Sequence, residues 1–412
     1  MTGKNDKPGN EIGRREQLGR LLALLDGVEK LELEHFSMEI GDLELWIPTG
    51  TGTPAQVTTL SVHPEARLKP TALIPETFEP FRDQYPGRIH EVTIGATKSE
   101  GGSRSRHLVI GGAEAPPFSF FGRCPKNPPL FSLDVFDMEV PLPRALKAGI
   151  RDVMGDPAEW ARVNVNKFGA DMVTIHLMST DPLIKDTPPS VAARTVEDVL
   201  QAVDVPVIIG GCGDPHKDAD VFCEIAQVAS GERLLLNSVT LDMAEAKTLE
   251  RVARAARDHN HAILGFTGLE LNKAKELNRR LYEYLPVESI VMDLTTVALG
   301  YGLEYSFSIH ERARQAALLG DTELQHPTIS ASTNAWAARE AWMQMEAKYG
   351  SRDMRGPLWE TLNALILLLG GVDLFMMMHP AAIRTVRDIL DDLMNPRLVH
   401  HDQMALWAEM KI

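Results

Sequence analysis

The sequence predicts an α/β fold, a (β/α)8 TIM barrel carrying an N-terminal helix and β-hairpin extension. Three observations predict it. Past residue 115, short apolar runs alternate with helix-length amphipathic stretches, as parallel strands buried on both faces require. Eight such runs occur, the number a closed barrel needs. The length of 412 residues holds one barrel of about 250 residues with additions. A doubly wound open sheet is the alternative, and usually has fewer strands. The expected division is an extension over 1–115, a barrel over 116–400 and a tail over 401–412.

Taken in order, Glu16 to Lys30 reads as an amphipathic helix, with Leu18, Leu21, Leu22 and Leu25 on one face. Leu31 to Ile47 alternates around Gly41-Asp42 and predicts a hairpin. Pro48 to Pro80, rich in Thr, Pro and Gly, reads as a linker or surface wrap. A second hairpin is expected from Ile89 to Gly111, turning near Gly101-Gly102-Ser103. The eight barrel runs are Leu130–Asp137, Met172–Ser179, Val205–Gly211, Leu234–Val239, Ala262–Thr267, Ser289–Leu294, Thr328–Thr333 and Val372–Met378. Helices are expected between them over Val191–Val203, Ala219–Ala229, Glu245–Asp258, Glu270–Tyr284, Glu304–Leu319 and Trp336–Tyr349. Leu362 to Met378 imitates a membrane span, but Gly370, Gly371 and Asp373 interrupt it. A helix, a turn and a buried strand explain it better.

Composition narrows the function. A formal net charge of −15 repels phosphate backbones and argues against nucleic acid. The N-terminus lacks an apolar stretch before a small-residue cleavage site, so a cytoplasmic protein is expected, with no membrane partner. Cys124, Cys212 and Cys223 are scattered. They form no disulfide framework, and they fall short of the four thiolates of a usual iron–sulfur cluster. No phosphate-cradling GxxxxGK[ST], no HExxH and no cobalt-ligating DxHxxG is present. His259 and His261 precede a strand, on the barrel's stability face, and are not read as metal ligands.

Chemistry in this fold gathers at the C-terminal ends of the strands. The candidates there are Ser179, Gly211, Asn237, Thr267, Asp293, Thr295, Thr296, Thr333, Asn334 and His379. Hydroxyls and amides both donate and accept, and glycine admits close backbone approach. Such a rim suits a large neutral ligand bordered by amides, of which a corrinoid is one. The plainer account is that polar residues at strand ends cap helices and make turns, Asp181 and Asp214 above all. Asp293 could steer a proton on a pterin-like ligand, and equally could cap the next helix. No catalytic residue is assigned.

Two segments carry a resemblance. Met292-Asp293-Leu294-Thr295-Thr296-Val297-Ala298-Leu299-Gly300-Tyr301-Gly302-Leu303-Glu304-Tyr305-Ser306 resembles the strand-six loop of the corrinoid protein subunit of the acetyl-CoA pathway. Ser332 through Trp342 resembles the same family's strand-seven loop, and Val92–Thr97 and Asp134–Asp137 also fit. The chain departs at Leu294, where proline is expected, and at Val297 and Ala337. The family is that of the delta, or small, subunit of the corrinoid iron–sulfur protein in acetyl-CoA decarbonylase/synthase complexes. The resemblance implies pairing with a gamma, or large, subunit that carries the cluster and a corrinoid-binding domain. It implies a shared corrinoid, a methyl-tetrahydropterin donor and an acetyl-CoA synthase partner. A pterin-dependent methyltransferase and a pure scaffold subunit are the competing expectations.

Overall fold

The computed structural model describes residues 84–117 and 125–394. The expected helix from Glu16, the Leu31–Ile47 hairpin, the Pro48–Pro80 linker, Cys124 and the 401–412 tail lie outside the described residues.

β1 (Glu91–Ile94) and β2 (Leu108–Gly111) pair antiparallel, with Glu91 opposite Gly111. Eight parallel strands follow: β3 (Leu130–Phe136), β4 (Met172–His176), β5 (Val207–Gly210) and β6 (Leu235–Val239). The rest are β7 (Ala262–Phe266), β8 (Ile290–Asp293), β9 (Thr328–Ala331) and β10 (Leu374–Met377). β10 pairs with both β9 and β3 and so closes the barrel. Each strand falls inside one of the eight expected runs. The apolar segment after Leu362 is the end of the helix Arg352–Leu369, a glycine turn and β10.

One expected helix is absent. Trp336–Tyr349 forms short 3-10 turns, Ser332–Ala337, Arg339–Ala341 and Ala347–Tyr349, and the helix here is Arg352–Leu369 instead. The cause lies in where the loop's carbonyls go. Arg355 donates to the Glu340 carbonyl at 2.8 Å and to that of Met343 at 2.5 Å, and Arg352 donates to that of Trp342 at 2.6 Å. A helix would spend those carbonyls on its own amides four residues on. The Trp336 ring meanwhile lies against Gly356, where an added Cβ would fall 2.2 Å from Cζ3. The expected helix Glu245–Asp258 also divides, into Leu241–Glu245 and Leu249–Asp258, with Lys247 between them at φ 59°.

The hairpin closes one end of the barrel. Val92, Ile94 and Ile110 form one buried cluster with the inward-facing Met172, Ile208, Leu264, Val291 and Leu374. Its backbone bonds reach segments just before strands: Gly95 donates to the Arg233 carbonyl and His90 to that of Gln325, each at 2.8 Å. Arg233 returns a bond to the Thr93 carbonyl. This is therefore the N-terminal end, and the opposite end is left for chemistry.

Candidate functional site at the open end of the barrel

Inward positions alternate along each strand, and their polarity climbs towards the open end. Leu130 and Met172 line the closed end. One layer up, Ser132 and Thr174 share a hydrogen bond of 2.7 Å. Above them stand Asp134 and His176, with Nε2 3.3 Å from Oδ1. The Asp134 side chain is wholly buried, yet neither oxygen accepts a hydrogen bond. His176 Nε2 is likewise buried and not aimed for one, so the two are joined by charge at short range. Burial, the largest single influence, disfavours the protonated imidazole, but the closeness of Asp134 and the charge of Asp137 together outweigh it and the His176 pKa is raised.

Other buried carboxyls stand near the same end. Glu360 reaches in from the helix Arg352–Leu369 and accepts the backbone N–H of Met378 at 2.5 Å and of His379 at 2.9 Å. Burial pushes its pKa up to about 8 against the pull of those two donors. Burial pushes Asp293 up to about 7, opposed by the Thr295 N–H that Oδ1 accepts at 2.8 Å. Burial also raises Asp137, against the hydrogen bonds from Ser179. Each shift runs towards the neutral form because solvation is lost without a full set of donors in return.

The expected rim residues divide by whether their bonding capacity is spent. Ser179 is committed to Asp137, through N–H at 3.0 Å and hydroxyl at 2.5 Å. Thr296 donates to Ser330 Oγ at 3.0 Å, and Thr295 to the Thr267 carbonyl at 2.9 Å. Thr295 holds φ 81°, unusual for a β-branched residue. Gly211 answers to packing, since a Cβ there would fall 2.5 Å from the Asp218 carboxylate. His379 accepts the Ala381 N–H at 3.1 Å and lies over the Trp336 ring, and burial pushes its pKa down to about 4. Thr333 is half-buried in the turn after β9.

Three residues keep capacity in hand. Thr267 Oγ1 is buried without a partner. Asn237 sends Nδ2 only to the Met376 sulfur, at 3.7 Å. Asn334 is exposed and donates Nδ2 to the Thr296 carbonyl at 2.9 Å, which ties the loops after β8 and β9 together. Asp181 and Asp214 are turn residues: each carboxylate accepts a backbone N–H two residues on. His261 accepts the Leu234 N–H and faces the Ala226 carbonyl, a structural role.

Beside His176, a cavity of about 230 Å3 opens between the ends of β4, β5 and β6, walled by Gly210, Gly213, Asp218, Asn237 and Ser238. A larger hollow of about 460 Å3 lies elsewhere, beside Arg104. That guanidinium is already committed to Glu232 and to the carbonyls of Leu200 and Val203.

Residues 91–354 match the family model described as CO dehydrogenase/acetyl-CoA synthase delta subunit. The chain belongs to this family. A delta subunit of the acetyl-CoA decarbonylase/synthase complex from Archaeoglobus fulgidus is 46% identical over 84% of this chain and 76% of its own. The delta subunit from Methanosarcina mazei is 44% identical over 95% and 90%, and that from Methanothermobacter thermautotrophicus 46% over 91% and 92%. Among solved structures, a dihydropteroate synthase from Stenotrophomonas maltophilia is 13% identical, with a TM-score of 0.43 over 72% of this chain and 100% of that one.

Within this delta-subunit chain, the loops after β8 and β9 that carried the resemblance lie at the mouth, whereas Val92–Thr97 belongs to the hairpin at the closed end. Leu294, in place of the expected proline, is fully buried beside Met292, Ile309 and Ala313. Sequence reasoning passed over Asp134, His176 and Glu360 as site residues. The signal was present in the strands: Ser132 and Asp134, then Thr174 and His176, are polar residues at period two inside apolar runs. That spacing places all four on the barrel's inner wall.

Proposed function

We propose that this chain is the delta half of a corrinoid methyl-carrier pair in an acetyl-CoA decarbonylase/synthase complex, its open end meeting a corrinoid held jointly with a gamma subunit. The observation that carries this is the unspent bonding capacity at the mouth. Thr267 Oγ1 has no partner, Asn237 reaches only a sulfur, and Asn334 stands at the exposed edge. Hydroxyl and amide groups of this kind match a ring fringed with amide arms. The relatives supply the setting, since each is named a subunit of that complex.

When bound, the corrinoid supplies a cobalt centre that carries methyl between a methyl-tetrahydropterin and the nickel site of acetyl-CoA synthase. The chain's own work is to bind, orient and keep out water. Asn237, Thr267 and Asn334 would hold the arms, with Asp293 as a carboxyl able to donate near neutral pH. Among the described residues, no group of His, Cys, Asp or Glu is gathered as metal ligands. In this reading the iron–sulfur cluster and any protein ligand to cobalt belong to the gamma chain. The barrel interior is filled with side chains, so the ligand lies across the mouth and a second surface covers it. That interface should bury at least about 1,200 Å2. The setting is the cytoplasm, with neither nucleic acid nor membrane as partner. No described helix is long and apolar enough to cross a membrane.

Co-expression with the gamma chain tests the reading. Corrinoid absorbance is expected in the purified pair and not in the single chain. A colourless pair that still assembles would leave only a scaffold. Methyl transfer to free cobalamin by this chain alone would make it a methyltransferase instead.

A further inference from the structure

We infer that the cavity between the ends of β4, β5 and β6 is a seat for one primary carboxamide group, with His176 as its donor and Asp134 as the buried group that holds the imidazole in place.

Asp134 stands on the inner wall beside His176, which lines the cavity. A carboxylate on the inner wall with no hydrogen bond to either oxygen is costly to keep. Its one near partner is His176 Nε2, at 3.3 Å. The Asp134 charge beside Nε2 holds the ring and favours the imidazolium, in which Nδ1 also carries a proton and can donate. That other nitrogen, Nδ1, lies on the Gly210 side: a Cβ at that position would fall 3.0 Å from it. Glycine leaves the approach clear. His176 itself lines the cavity.

The remaining walls choose the ligand class. The Asp134–His176 pair is close to neutral as a unit. Asp218 accepts the N–H groups of Cys212 and Gly213, each at 2.8 Å, and adds an acidic group to the wall. Asp137 lies close enough for its charge to act on His176. An entering carboxylate would meet those acids, whereas a carboxamide brings no charge. Its oxygen can accept from the imidazole, and its NH2 can donate to Asn237 Oδ1 or to a spare lone pair on Asp218. About 230 Å3 has room for a short amide arm but not for a macrocycle. The seat therefore takes an arm of a larger molecule lying over the mouth. Only the source of that arm rests on the corrinoid reading above.

The test uses the full chain with histidine labelled at Cε1, the His176 signal being assigned by its loss in His176→Gln. The probes are propionamide, propionate and 2-butanone, which has nearly the shape of the amide but no NH2. A probe of so few atoms is titrated up to roughly millimolar concentrations and above, since it makes few contacts. The His176 signal is expected to move saturably with propionamide. It should respond about tenfold more weakly to the other two, the loss expected for an unmatched hydrogen bond or charge. In Asp134→Asn, shown to be folded by its melt, that preference should vanish. A signal unmoved by propionamide, or moved equally by all three or best by propionate, would overturn the seat. The assembled pair is then compared with and without cobinamide. A His176 shift on loading supports the corrinoid as source. Its absence, after a positive response to propionamide, removes that source and leaves the seat standing.

Discussion

At the scale of single residues, Asp293 sets a measurable pH dependence. Burial raises its pKa to about 7, against about 3.9 in an unfolded chain. Between those values the folded state binds more protons than the unfolded one, so stability falls as pH rises through about 4 to 7 and then levels. Asp293→Asn keeps an acceptor for the Thr295 N–H and removes the titration. The variant should gain on the parent by roughly 2–4 kcal/mol between pH 5 and pH 8. Glu360 titrates in both proteins and cancels from the difference. Paired thermal melts across that range check it, and a gap that stays constant with pH would sink it. Asp293 was legible in the sequence because it ends a strand. Asp134 and His176 were not, because each is one polar residue in an apolar run. Their importance comes from meeting across two strands whose register no local pattern states.

At the scale of elements, the eight strands were legible because β-branched and aliphatic runs of that length, punctuated by helices, have few other uses. The Trp336–Tyr349 segment was not. Its local pattern is compatible with a helix, and only the distant Arg355 and Gly356 show why it wraps as turns. This makes Gly356 a sharp probe. An added Cβ would fall 2.2 Å from the Trp336 ring, and neither the ring nor the helix backbone can yield cheaply. Gly356→Ala should lose about 1–3 kcal/mol by overpacking, although alanine is the better helix former. Denaturant melts measure it, and a variant as stable as the parent would show that the ring does not hold the turn there.

At the scale of the whole molecule, the β1–β2 hairpin completes the barrel's core. Val92 is fully buried against inward-facing strand residues. Val92→Asp would put an unpaired charge there, a cost of several kcal/mol. The expected outcome is loss of the cooperative melt for the barrel as a unit, seen in near-ultraviolet circular dichroism. A normal melt would mean that the hairpin is an appendage. The same hairpin has a consequence for turnover. Among the described residues the hairpin stoppers one end of the barrel, so on the reading proposed above a ligand would have one doorway, with the covering subunit standing in it. Residence time and delivery would then become one quantity: a ligand would leave no faster than the two chains part, and each exchange would be timed by their separation.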